Sequence, residues 1–337
     1  VINTAWFIVL AFMLAGYAVL DGFDLGVGAL HLLLGRDTRE RGTLIDTIGP
    51  VWNGNEVWLL AAGGSMFVAF PHLYATSFSG FYLALMLVLW LLVLRGLGIE
   101  FRHGIDHDMW RHAWDVAFSL SSVLLALLFG VALGNVLRGV PLDARGEFQG
   151  TFSLMLNWFA LLGGALGVAL LSMHGAAWIV LKTEGPLQAR AERYARVLWW
   201  VAMALLAAMI AASFVVRPDF TANFAEHPWL LLIPVVTASG AAAIRYFQGR
   251  RDGRRAFVAG SVLIAGLLAS VAAGLYPQLL PAAPGSVHPG LDIYNAASPE
   301  GSLRTALAIY LWGLALVVLY QVSVYRIWRG KARDVYH

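Results

Sequence analysis

The sequence predicts an all-α polytopic membrane protein, and three observations carry that prediction. Of its 337 residues, 59% are hydrophobic and only 13% are charged, about half the charged share of an average soluble domain. The apolar residues fall in continuous runs rather than in alternation, which fits helices and not barrel strands. Nine of these runs are long enough to cross roughly 30 Å of hydrocarbon at about 1.5 Å per residue. A soluble fold of this length could not hide so much apolar surface, because even large domains bury only about three quarters of what the unfolded chain exposes.

In chain order the expected spans cover residues 5–34, 51–70, 75–94, 113–137, 154–181, 197–216, 228–244, 256–279 and 303–325. The first run lacks the basic start and small-residue cleavage site of a leader, so it is read as a retained span. Loops rich in Lys and Arg prefer the cytoplasm. With the N-terminus periplasmic and the C-terminus cytoplasmic, 19 of the 23 Lys and Arg lie inside, Arg95, Arg102 and Arg333 among them. Only Arg138, Arg145, Arg217 and Arg304 lie outside. One missed or invented span would exchange the sides of all later loops and destroy that split. Trp110, Trp114, Trp199, Trp200, Trp229 and Trp328 sit near span ends, where an amphipathic ring suits the headgroup level.

Residues 277–302 make the longest outer loop, rich in Pro, Gly and Ser, and read either as an ordered cap or as a plain connector. The chain is expected to form a single integral membrane domain, 1–337. Gly22, Gly26, Gly28 and His31 in the first span are echoed by Gly163, Gly164, Gly167 and His174 in the fifth. That echo suggests two four-helix units, 1–137 and 154–279, plus one extra helix, 303–325.

The chemistry concentrates in the first two spans. Asp21 and Asp24 lie inside the first, where a charged side chain costs roughly 2.5 kcal/mol or more and is functional by default. Residues three and four apart share a helix face, so Tyr17, Asp21, Asp24, Gly28 and His31 form one stripe turned toward other helices. Gly22 and Gly26 are a small-xxx-small pair that permits close backbone approach. The second span opens with Trp52, Asn53, Asn55 and Glu56. These groups are expected to cluster with Asp21 and Asp24 in the cytoplasmic half, and Asp115 at the start of the fourth span to join them. Close carboxylates repel in a medium of low dielectric, which favours proton exchange and suggests a site open to the cytoplasm. The competing reading is a hydrogen-bonded polar network that only fixes helix register.

With no cysteine, thiolate zinc, iron–sulfur and thiolate haem sites are excluded. His31 and His174 are the only embedded histidines, each alone on its helix, and read as packing or relay residues rather than haem ligands. His103, Asp106, His107, Asp108 and His112 form a mixed loop cluster read as solvated rather than metal-binding, so no metal is expected. No phosphate-cradling loop, zinc helix or serine elbow is present. A proton-coupled secondary transporter would also place carboxylates beside glycine-rich helices.

Two motifs decide between these readings. The segment Asp21-Gly-Phe-Asp-Leu-Gly-Val-Gly28 resembles the first-helix signature of subunit II of cytochrome bd-type quinol oxidases. Val51-Trp-Asn-Gly-Asn-Glu-Val-Trp58 is similar to that family's second-helix motif, and Gly80-Phe-Tyr, Arg95 to Arg102, Gly134-Asn135, Tyr276-Pro and Tyr325 to Lys331 match further on. Some members carry Asp and Gln where this chain has Asn53 and Glu56, and the Asn/Glu form looks like the cyanide-insensitive branch. An Asn cannot titrate, so Glu56 would supply the lost carboxylate. The resemblance implies a non-haem subunit of a terminal quinol oxidase, with no complete active site of its own. The complex oxidises quinol and reduces dioxygen to water in the bacterial cytoplasmic membrane. Haem b and haem d-type groups belong to subunit I, the expected partner. Some members hold a structural quinone in subunit II, and their embedded acids help line a proton path, which implies that role for Asp21 and Asp24. Lipids, quinone and a small accessory subunit complete the expected partners, with no nucleic acid.

Overall fold

A computed structural model describes residues 1–332; Arg333, counted above among the inner charges, lies outside the described residues. The chain opens with α1 (Ile2–Leu34), a short α2 (Thr38–Asp46) and α3 (Trp52–Ala69). Then come α4 (Pro71–Gly80), α5 (Tyr82–Phe101), α6 (Asp108–Arg138) and a single turn, α7 (Phe152–Met155). The second half holds α8 (Trp158–Lys182), α9 (Gly185–Val216), the short α10 (Ala222–Glu226), α11 (Leu232–Gly249), α12 (Gly253–Leu275) and α13 (Glu300–Ile327). Strands β1 (Gln278–Pro281) and β2 (Gly290–Asp292) pair between α12 and α13. The chain is mostly helical, as an all-α polytopic membrane protein should be.

Among the described residues eight helices, not nine, are long and apolar enough to cross a membrane. The one that falls short is α3, whose 18 residues include Asn53, Asn55 and Glu56 in the first turns. Those same polar groups tie it to its neighbours, so the property that lowers its apolarity also fixes its place.

The third expected span needs correcting. Residues 71–80 form a separate helix started by Pro71, whose ring presets the first helical φ and whose missing N–H is no loss there. The apolar helix is α5, which begins at Tyr82 and runs on to Phe101. Arg95 therefore lies inside a helix rather than in an inner loop, and it is fully buried.

The helix connections fall into two sets. One end of the bundle carries the basic turns after α1, α5, α8, α11 and α13, and is called the basic end below. At the other end residues 277–302 are an ordered cap, not a plain connector. The β1–β2 hairpin pairs with Val140 through Ala282, Asn3 Nδ2 donates to the Ile293 carbonyl at 2.5 Å, and Ser298 Oγ donates to the Val68 carbonyl at 2.7 Å.

At the centre α1 crosses α8 with almost no space between backbones. A Cβ placed on Gly26 would collide with the Leu171 carbonyl and Gly175 N, and one on Gly175 would collide with Gly26 itself. Gly22 faces Leu171 in the same groove. The small-residue pair therefore does what its spacing promised, letting two backbones touch where no side chain fits.

Candidate functional site

The expected stripe on α1 is real: Tyr17, Asp21, Asp24, Gly28 and His31 are all buried. It faces three different helices. Asp21 looks at α5, Asp24 at α3, and Gly28 and His31 at α6. Gly28 packs so tightly on Ser122 and Phe118 that no side chain would fit. Tyr17 stacks edge-on against Phe129 at 5.4 Å between centroids.

Arg95 completes the first half of the site. Its Nη1 donates to both oxygens of Asp21, at 2.7 and 2.8 Å. Its Nη2 reaches Glu56 Oε2 at 3.4 Å. Charge-assisted bonds of this geometry are stronger than neutral ones, and in a buried setting they make up part of the desolvation cost of both ions. Arg95 and Asp21 are fully buried, whereas Glu56 is 22% exposed. Glu56 is thus the least enclosed member of the cluster.

Asn55 organises the second half. Its Nδ2 donates to Asp24 Oδ2 at 2.7 Å. Its Oδ1 accepts from Gln321 Nε2 at 2.6 Å and from the Tyr325 hydroxyl at 3.0 Å. Two donors on that oxygen fix the amide's orientation, which leaves its N–H aimed at Asp24. Asp24 Oδ1 has no hydrogen-bond partner among the described residues. Buried polar atoms are usually satisfied, and Tyr17 OH and Arg95 Nε nearby share this lack of a partner among the described residues.

Three expectations about membership change. Asn53 is exposed and takes no part in the network, because positions two apart on a helix point to different faces. Asp115 does not join Asp21 and Asp24. It forms its own buried cluster nearer the basic end, accepting from Arg102 Nε at 2.6 Å and lying 2.7 Å from His31 Nε2 and 3.3 Å from Arg41 Nη1. Arg102 also donates to the Thr38 carbonyl at 2.9 Å, so the cluster ties α1, α2, α5 and α6 together. The two acids of α1 do not simply face each other either, since a guanidinium engages both oxygens of Asp21. Trp52 is buried and packs on Gly96, a supporting role.

Sequence reasoning missed Arg95, Gln321 and Tyr325. The signal for Arg95 was present, since the apolar run from Tyr82 resumes beyond it at Leu97, Ile99 and Phe101. An arginine inside such a run is a site by the rule applied to Asp21. Gln321 and Tyr325 are four apart in the last helix and share a face, but nothing in the sequence says that this face meets α3.

Both embedded histidines are held by the surrounding helices. His31 Nε2 is taken by Asp115, and its ring stands edge-on to Phe118. His174 Nε2 bonds the Val19 carbonyl at 3.2 Å, its ring is stacked on Phe257 at 4.5 Å, and a Cβ on Gly260 would lie 2.9 Å from its Nδ1. In the loop cluster Arg111 pairs with both Asp106 and Asp108, and His107 Nδ1 accepts from Met109 N.

Comparison with known proteins bears on this site. The family described as "Cytochrome bd terminal oxidase subunit II" matches residues 2–328. A probable cytochrome oxidase subunit 2 from Haemophilus influenzae is 34% identical, over 95% of this chain and 92% of that protein. The cytochrome bd-I ubiquinol oxidase subunit 2 of Escherichia coli K12 is 32% identical over 96% of this chain and 93% of its own length. The cytochrome bd ubiquinol oxidase subunit 2 of Bacillus subtilis is 33% identical over 98% and 96%. A chain in the solved structure of bd oxidase from Geobacillus thermodenitrificans shares the fold. Its TM-score is 0.79 at 19% identity, over 97% of this chain and 98% of that one.

Proposed function

Since the chain belongs to the cytochrome bd terminal oxidase subunit II family, we propose that it is the haem-free companion of a haem-bearing subunit I, and that its buried acids carry protons toward that partner. The complex is a quinol:dioxygen oxidoreductase of the bacterial cytoplasmic membrane, and the basic end of this subunit faces the cytoplasm. Haem supplies the oxygen chemistry, on the partner. This chain contributes structure and a protonatable array.

The observation that carries the reading is the array itself. Glu56 is only partly buried, Asp24 keeps one buried oxygen uncommitted, and Arg95 contacts Glu56 while holding Asp21 in place. Reduction of dioxygen to water consumes protons, and a haem buried in a membrane needs a relay to receive them. Such a relay uses carboxylates that are embedded yet not all locked in ion pairs. Asp21 is therefore assigned to positioning, while Glu56 and Asp24 are assigned to proton transfer. Asp115 is held by its own arginines and fixes the inner turns.

The same array suggests where the partner sits. Helix α13, which supplies Gln321 and Tyr325, is the least enclosed span, with 6% of its apolar window buried. Trp312, Leu316 and Leu319 point away from the bundle. Next to it on α3, Gly63 and Gly64 face open space. Small residues on a lipid-level face allow another helix to approach closely. A partner seated there would lie directly over the Asn55 network.

An optical test follows. From gently solubilised membranes the chain should copurify with a pigment-bearing polypeptide, and the complex should show haem absorption. The chain expressed alone should show no Soret band. A Soret band in the isolated chain, or copurification with no pigment, would count against the reading. Solute flux through vesicles holding only this chain would favour a transporter instead.

A further inference from the structure

We infer that the groove between α11 and α12 at the basic end is a binding site for an anionic diacyl phospholipid. The groove is open to its surroundings and holds about 660 Å³, within the range of roughly 300–1,000 Å³ typical of small-molecule sites. Its floor is the close contact of α11 with α12, where a Cβ on Gly240 would lie 3.1 Å from Leu263 N and 3.2 Å from the Ala259 carbonyl. Val236, Ala243 and the exposed Val262 continue the apolar lining. The Ser239 hydroxyl is spent on its own helix, donating to the Val235 carbonyl at 2.8 Å. The walls therefore offer an acyl chain apolar contact and no competing polar group.

The mouth of the groove is cationic. Arg254 and Arg255 line it, and Arg255 also stacks over Phe247. Against these two guanidiniums stands one carboxylate, Asp252, also in the lining. Asp252 caps α12 by accepting from Arg255 N at 3.0 Å and lies 3.5 Å from Arg255 Nη1. Arg254 has no carboxylate partner among the described residues. An excess of unpaired guanidinium at the level where a membrane-spanning groove meets water is complementary to a phosphate diester whose acyl tails fill the groove below. A zwitterionic headgroup would bring its own ammonium against the arginines.

The site is independent of the proton array and can be tested without turnover. The purified complex is delipidated and titrated with phosphatidylglycerol or phosphatidylcholine, with bound lipid counted by native mass spectrometry. Phosphatidylglycerol should bind at least tenfold more tightly, and the double variant Arg254→Gln/Arg255→Gln should lose on the order of tenfold in its affinity. Val262→Trp, which fills the groove from its exposed lining and leaves the arginines, should lose the site as well. Should Val262→Trp fail to fold, Val258→Trp, more exposed in the same lining, serves the same purpose. Glycerol phosphate without acyl chains should not compete. Equal affinity for the two lipids, indifference to the arginine pair, competition by glycerol phosphate, or a polypeptide crosslinked from Val258 in place of lipid would each overturn the proposal.

Discussion

Replacing Arg95 with Met should cost the folded subunit about 3–5 kcal/mol, because it strands Asp21 as an uncompensated buried acid. The side chain makes two bonds to Asp21 and approaches Glu56, and no water-exposed group can take over, since both Arg95 and Asp21 are fully buried. The measurement is unfolding of the solubilised complex by detergent or heat, with copurified pigment as the sign of assembly. The double variant Arg95→Met/Asp21→Leu should recover most of the loss, because an apolar pair of similar volume is often no worse than a buried ion pair. A full loss in the double variant would mean that the charges are needed for more than each other.

The substitution Gly26→Leu should be nearly as severe. Its Cβ would meet backbone atoms of Leu171 and Gly175, which cannot rotate away. Overpacking costs about 1–3 kcal/mol when side chains can shift, and more when they cannot. Separating α1 from α8 would also break the bond between His174 Nε2 and the Val19 carbonyl, so packing and polar terms fail together. Gly249→Ala is the control, as nothing lies within 4 Å of a Cβ there, and removing a helical glycine elsewhere gains roughly 0.5–1 kcal/mol. A complex that assembles normally with Leu at position 26 would show that the helices cross less tightly than described.

Helix α1 could be read from its sequence almost completely. A 3.6-residue repeat fixes which side chains share a face whatever the neighbours are, so the stripe from Tyr17 to His31 and the glycine groove behind it follow from spacing alone. What the stripe meets depends on which helices pack there, and spacing says nothing about that. Asp115 went to the His31 end because Arg102 and Arg41 are there to hold it. Asn53 and Asn55 looked alike as residues but sit on different faces of α3, and only Asn55 turns inward. Arg95 was misread for a different reason. A hydropathy boundary set at residue 94 made it a loop charge, although the helix runs to Phe101. A positive-inside count treats every arginine as a topological signal, and so it hides an arginine that a buried acid holds inside the bundle.

The embedded array distinguishes a proton-conducting subunit from a merely structural one through Asp24. Asp24→Asn keeps the size of the side chain and can still accept from Asn55, but it cannot carry a proton. In the assembled complex, quinol-driven oxygen consumption and the accompanying proton uptake should fall roughly tenfold or more, with haem absorption unchanged. Glu226→Gln, exposed at the opposite end of the bundle, should leave both at the wild-type level. Wild-type oxygen consumption and proton uptake in the Asp24→Asn complex would contradict the account and leave the network a device for holding helices in register.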